Sequence, residues 1–133
     1  MLYGAAKHPT EDRYIGGMQD NGTWRTKENI DTTNYKWDEM LGGDGYDVVW
    51  HSQNPLKIAG TLYYSDIRTS ENGGATWTQR YSAGEGNAPF ITTLASSLQR
   101  PDMLYAVRES GIIRSSDFGQ TWNVIAYPTS GQD

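Results

Sequence analysis

An all-β fold made of repeated four-stranded antiparallel units is the class this sequence predicts, and three observations carry the prediction. The composition favours pleated sheet and tight turns: 15 Gly, 5 Trp and 9 Tyr stand against 2 Phe, with many Thr and Ser. An eight-residue motif occurs twice in register. Short strand-forming runs, separated by turn signals, lead into each copy. The 133 residues fit one ordinary domain and suffice to bury a core.

The motif reads Ser70-Glu71-Asn72-Gly73-Gly74-Ala75-Thr76-Trp77 and again Ser115-Ser116-Asp117-Phe118-Gly119-Gln120-Thr121-Trp122. Ser to Ser and Trp to Trp both advance by 45 residues, so the shared pattern is S-x-[DN]-x-G-x-T-W. Each residue type has a turn-forming job. Asn72 or Asp117 bonds nearby backbone, Gly74 or Gly119 takes positive φ, and Thr76-Trp77 or Thr121-Trp122 opens the next strand.

The runs before each motif follow one order. In the last unit Phe90–Ala95 is a strand, Gln99–Asp102 a turn, Met103–Val107 a strand, Ser110-Gly111 a turn, and Ile112–Arg114 leads into the motif. The middle unit repeats this with Asp47–His51, a turn at Gln53-Asn54-Pro55, Ile58–Tyr64, a turn at Ser65-Asp66, and Ile67–Thr69. A first unit is degenerate: Leu2–Ala6, a turn at His8–Glu11, Arg13–Met18, an Asn21-Gly22 turn, Thr23–Thr26, and a loop reaching Trp37. Asn21-Gly22 predicts a type I′ hairpin turn, which needs positive φ at both central residues. Trp37 takes the place of Trp77 and Trp122, while the Ser, Asp and Gly positions of the motif are lost. Four short strands per unit of about 40–45 residues is the pattern of a propeller blade. The expected blades span 1–41, 42–83 and 84–129, with 130–133 a tail.

The doubled motif resembles the Asp box of the BNR-repeat superfamily, which includes sialidases, xyloglucan-active hydrolases, sortilin-type receptor domains and photosystem II assembly factors. Gly16–Trp24 followed by Gly42-Gly43-Asp44-Gly45 is similar to a sub-pattern of sortilin-like and other large bacterial members. The resemblance covers nearly the whole chain and implies a β-propeller, often secreted or periplasmic. It also implies that Ser70, Asn72, Gly74, Thr76, Trp77, Ser115, Asp117, Gly119, Thr121 and Trp122 hold turns at the blade periphery, away from a catalytic pocket. A sialidase would carry an arginine triad and an F/Y-R-I-P segment; Arg13-Tyr14-Ile15-Gly16 is not that segment, and no triad is assignable.

Three blades do not close a ring, because propellers hold about four to eight. The sequence therefore predicts an incomplete propeller, completed by the remaining blades of a longer one or by a second copy in a six-bladed ring. A homo-oligomer is the expectation for a soluble form.

Chemistry is sparsely written. Asp44 and Asp47 precede an innermost strand whose mouth lines the central funnel, which makes them the candidate carboxylate pair for glycoside hydrolysis, with Asp20 a third. Trp24, Trp50 and Tyr46 are the candidate binding residues, since large amphipathic rings stack on sugars. The competing reading of Asp44, Asp47 and Asp20 is ordinary turn chemistry. His8 and His51 lack ligand spacing, there is no cysteine, and no metal or cofactor motif is present. A net charge of −5 without a Lys/Arg cluster argues against nucleic acid. No apolar run approaches a membrane span, and Met1–Lys7 lacks the regions of a signal peptide. The leading expectation is a non-catalytic module that binds protein or glycan; the alternative is a fragment of a glycoside hydrolase.

Overall fold

The computed structural model describes residues 1–27 and 36–126. The loop before Trp37 and the expected tail 130–133 lie outside the described residues. Twelve strands follow one another: β1 (Leu2–Lys7), β2 (Tyr14–Met18), β3 (Gly22–Thr26), β4 (Trp37–Leu41), β5 (Val48–Trp50), β6 (Ile58–Thr61), β7 (Ile67–Ser70), β8 (Thr78–Tyr81), β9 (Leu94–Ser96), β10 (Leu104–Arg108), β11 (Gly111–Ser115) and β12 (Asn123–Ala126). They form three four-stranded sheets, β1-β2-β3-β4, β5-β6-β7-β8 and β9-β10-β11-β12, with every neighbouring pair antiparallel. The fold is all-β, and its three sheets have the strand order of successive propeller blades.

The sheets repeat residue by residue. Ile58 pairs with Ser70 as Leu104 pairs with Ser115, and Tyr14 stands opposite Thr26, whose Oγ1 accepts its N–H. The outermost strands repeat as well: Thr26 pairs with Trp37, Thr69 with Thr78 and Arg114 with Asn123, which aligns Trp37 with Trp77 and Trp122. A β-bulge falls at the same place in all three, between Thr23 and Trp24, Ile67 and Arg68, and Ile112 and Ile113. Bulges re-aim a strand, so a bulge kept three times marks one repeated unit. The alignment also corrects the reading of the first motif as having lost its serine position. A buried threonine hydroxyl, Thr26, occupies it.

Each junction between blades buries apolar side chains from two sheets. Ile15 of the first blade packs with Val48, Trp50 and Ile58 of the second, with Trp77 against the cluster. Ala59 meets Leu104 and Phe118 of the third blade, and Ile67 meets Ala106 and Ile113, with Trp122 touching both groups. The tryptophans of both intact motifs, Trp77 and Trp122, thus pack toward the preceding blade. Burying an Ile or Leu side chain fully is worth about 1.5–3 kcal/mol, so these clusters hold the arc together.

Close backbone approach needs two glycines in the first blade. A Cβ on Gly17 would stand 2.4 Å from the Tyr46 carbonyl oxygen, and one on Gly4 2.6 Å from Asp47 Oδ1. The connection carrying Tyr46 and Asp47 therefore lies directly across β1 and β2.

Three local expectations are corrected. Strand β6 ends at Thr61 instead of Tyr64, because Tyr64 and Ser65 both adopt φ of +54° in the turn. Strand β9 begins at Leu94 instead of Phe90, because Phe90–Thr92 serves that turn: Tyr64 N–H donates to Phe90 O, and Ser65 N–H to Thr92 Oγ1. The Asn21-Gly22 hairpin is a three-residue loop in which Asp20 (φ +63°) and Gly22 (φ +78°) are left-handed, with Met18 paired to Gly22. Gly22 is required there because a Cβ would lie 2.5 Å from Leu41 O.

Candidate functional site

Alternating strand direction sorts the chain's turns onto two ends. The β1–β2-type turns and both motif turns lie at one end; the β2–β3-type turns and the connections 42–47 and 82–93 lie at the other.

At the first end the motifs form two copies of one hydrogen-bonded turn. Ser70 Oγ accepts from Gly74 N–H at 2.8 Å and donates to Asn72 Oδ1 at 2.9 Å, which also accepts from Thr76 N–H at 2.9 Å. Ser115 Oγ accepts from Gly119 N–H at 2.7 Å and donates to Asp117 Oδ1 at 2.7 Å, which accepts from Thr121 N–H at 2.9 Å. The indoles close both turns, Trp77 Nε1 onto Gly74 O and Trp122 Nε1 onto Gly119 O. One difference stands out. Asn72 Nδ2 donates to Thr76 Oγ1, whereas Thr121 Oγ1 donates to Asp117 Oδ2 at 2.6 Å. Burial works to raise the Asp117 carboxyl, but the bonds from Thr121, Ser115 and its own main chain outweigh it and hold the group below its ordinary value. Every lone pair these bonds use is committed to the turn.

The histidines serve the neighbouring turns. His8 Nδ1 accepts from Thr10 N–H (3.2 Å) and Glu11 N–H (3.0 Å), and His51 Nδ1 from Gln53 N–H (3.1 Å) and Asn54 N–H (3.0 Å). Ser97 Oγ does the same in the third blade, accepting from Arg100 N–H. His8 stands edge-on to Trp50 and His51 edge-on to Phe118, each on the next blade. Burial above all lowers the His8 imidazole, with Arg13 and Lys7 assisting and Glu11 opposing. Among the described residues no cluster of three or more potential metal ligands occurs.

At the second end the structure brings Asp20, Asp44 and Tyr46 together. Asp44 Oδ1 accepts the Asp20 main-chain N–H at 2.7 Å, which holds the left-handed Asp20, and Tyr46 OH lies 3.5 Å from Asp44 Oδ2. Asp47 is turned elsewhere. Its Oδ1 accepts from Val48 N–H at 2.9 Å and its Oδ2 from Leu94 N–H at 2.7 Å, which ties the innermost strands of the second and third blades. Thr61 Oγ1 reinforces the tie, accepting from Asp47 N–H and donating to Thr92 O.

Two candidate binding residues require correction. Tyr46 is fully buried between Tyr3 and Phe90, and desolvation, with Asp44 nearby, pushes its hydroxyl up to about 12. Trp50 is buried at the first junction, with His8 edge-on, the Arg13 guanidinium over its ring, and Nε1 donating to Pro55 O. Neither ring has a free face for a ligand. Trp24 is half-buried, its Nε1 donating to Asn21 O, and lines an apolar hollow on the outer face of the first blade with Leu2, Gly16, Met18 and Trp37.

Sequence reasoning missed the aromatics that are accessible at this end. Tyr63 and Phe90 are 42% and 43% exposed and lie within 10° of parallel, ring centres 6.0 Å apart. Tyr64 stands edge-on to Phe90 at 5.2 Å; desolvation chiefly, then the charge and hydrogen bond of Glu85, raise its hydroxyl. The two left-handed residues that place these rings cost roughly 1–3 kcal/mol each, so the neighbours must over-determine them. They do: Ser65 Oγ donates to Val107 O, besides the bonds to Phe90 and Thr92. The available signal was an aromatic pair, Tyr63-Tyr64, directly before a Ser-Asp turn.

No family model matches this sequence, and no curated protein matches it. Among solved structures the chain is similar to an ancestral GH74 enzyme, with a TM-score of 0.43 and 11% identity over 96% of this chain. It spans about a quarter of that enzyme, 24% of its length. The propeller-like fold stated above rests on the three repeated registers.

Proposed function

We propose that this chain is a non-catalytic stretch of an Asp-box propeller that binds glycan at the end carrying the blade connections. The observation that carries the reading is the half-exposed, near-parallel Tyr63–Phe90 pair, held on a strained turn beside Tyr64 and Glu85. Aromatic faces receive the C–H surface of a sugar, and neighbouring hydroxyl and carboxylate groups bond its hydroxyls. Two further observations favour binding over turnover. Asp47 spends both oxygens on backbone N–H groups, and Asp44 holds the Asp20 loop. A carboxylate engaged in this way anchors structure, whereas glycoside hydrolysis requires two that flank the scissile bond. The two intact motifs, Ser70–Trp77 and Ser115–Trp122, support the Asp-box assignment.

A glycan array run beside a panel of chromogenic glycosides tests the proposal. Binding without turnover is expected, with Tyr63→Ala and Phe90→Ala each weakening it by roughly 2- to 12-fold, the worth of about 0.5–1.5 kcal/mol for an aromatic contact. Turnover that Asp44→Asn abolishes would overturn the proposal in favour of a glycoside hydrolase fragment.

A further inference from the structure

Three exposed or edge-on rings, Tyr63, Tyr64 and Phe90, gather at the connection end. They belong to the β6–β7 turn of the middle blade and to the connection leading into the third, so a blade flanks them on either side. The corresponding turns of the other two blades, 19–21 and 109–110, carry no ring. Glu85 joins the group from an open turn between two left-handed glycines, Gly84 (φ +80°) and Gly86 (φ +81°), where Asn87 N–H donates to Gly84 O at 3.2 Å. It is exposed, and the Tyr64 hydroxyl hydrogen-bonds its carboxylate. A carboxylate offers roughly four lone-pair sites, so that bond leaves acceptors for a ligand.

The rings stand in a field of one sign. The turns 19–21, 62–66 and 109–110 and the connections 42–47 and 82–93 carry six carboxylates, Asp20, Asp44, Asp47, Asp66, Glu85 and Glu109, and no Lys, Arg or His. At the opposite end the turns mix signs, with Arg13, Lys57 and Arg100 among the acids. Two guanidiniums border the acidic end, in β7 and at the end of β10. Arg68 gives Nε and Nη2 to the two oxygens of Asp66 at 3.1 and 3.0 Å, and Arg108 is followed directly by Glu109.

Rings and field ask for the same charge. The face of a Tyr or Phe ring attracts a cation held within about 6 Å of its centre. A carboxylate pairs with that cation, and a surface of one sign concentrates ligands of the other. A uronate or a sulfated sugar would meet repulsion at every turn of this end. We infer that the glycan this platform takes carries free amino groups, its ring face on Tyr63 and Phe90 and its ammonium at Glu85. The inference rests on the glycan-binding reading above and adds to it the charge of the ligand.

Three β-1,4-linked hexasaccharides that differ only at C2 isolate that charge: the chitosan hexamer (ammonium), the chitin hexamer (acetamide) and cellohexaose (hydroxyl). In calorimetric titrations of the full chain at mildly acidic pH and low salt, the chitosan hexamer should bind roughly 3- to 30-fold more tightly than cellohexaose, as one exposed ion pair and one cation–π contact together allow. High salt should shrink the advantage. Glu85→Gln, on its open glycine-flanked turn, should narrow the chitosan-to-cellohexaose ratio by roughly 1.4- to 5-fold. Phe90→Ala should weaken all three, with Tyr63→Ala as the second variant where Phe90→Ala does not fold. Cellohexaose or chitin bound as tightly as chitosan would overturn the inference and leave the glycan reading standing. So would array signals confined to glycans without amino groups. Chitosan binding that survives both ring variants would be diffuse attraction of a polycation to an acidic chain and would overturn it too, whereas a glycan array with no signal at all would overturn both readings.

Discussion

The second and third blades share a register, a bulge and a motif, yet among the described residues only the second is packed on both faces. Ile67 is fully buried between blades, while Ile112 at the same register is 41% exposed. Asn72 and Asp117 hold the same turn with the same geometry, one neutral and one charged. The first contrast teaches that a blade's stability is set largely by its neighbour. The second teaches that the turn needs an acceptor at a fixed place more than it needs a charge.

The largest effect should come from breaking the sandwich. Ile67→Ala should cost about 2–5 kcal/mol of unfolding free energy in a denaturant titration, whereas Ile112→Ala should cost less than about 1 kcal/mol. Equal costs would mean that the two faces are not in the different environments described. Next in size is the motif. Asp117→Ala strands the Thr121 N–H and leaves Ser115 without its acceptor, which should cost about 1–3 kcal/mol, while Asp117→Asn, copying Asn72, should stay within about 0.5 kcal/mol at neutral pH.

The charge should then declare itself in acid. Folding holds the Asp117 carboxyl below 3.8, so its contribution is complete above that value and is lost as the pH falls through the lower native value. Asp117→Asn should flatten this acid limb of a thermal-midpoint profile; an unchanged limb would contradict the assignment. The smallest effect should come from His8. Folding lowers its proton affinity, so the unfolded chain binds more protons, and stability should decline as the pH drops below 6.5 and through the lowered native value. A His8→Asn chain should lose that step.

Much of the blade structure was legible because its causes are local. Ser, Asx, Gly and Thr at fixed offsets bond one another within eight residues, so both intact turns, and Trp37 at the register of Trp77 and Trp122, could be read from spacing. What stayed hidden was set by distant backbone. Gly22 is dictated by Leu41 O, not by a two-residue turn. Tyr64-Ser65 becomes left-handed because Phe90, Thr92 and Val107 hold it so. The candidate site was legible only in part for the same reason. Asp44 and Asp47 do sit at the connection end, but bonds to Asp20 and Leu94 turn them to structural use. Tyr46 and Trp50 are buried by neighbouring blades, while the accessible Tyr63 and Phe90 meet only because Phe90–Thr92 bonds the distant Tyr64-Ser65 turn.

The claim that one blade unit is repeated is tested most directly by amide hydrogen exchange followed by NMR. The Gly74 and Gly119 amides, bonded to Ser70 and Ser115 hydroxyls, should exchange slowly and to matching degree, as should Thr76 and Thr121. Exchange of either pair at the rate of an unstructured peptide would contradict the repeated unit.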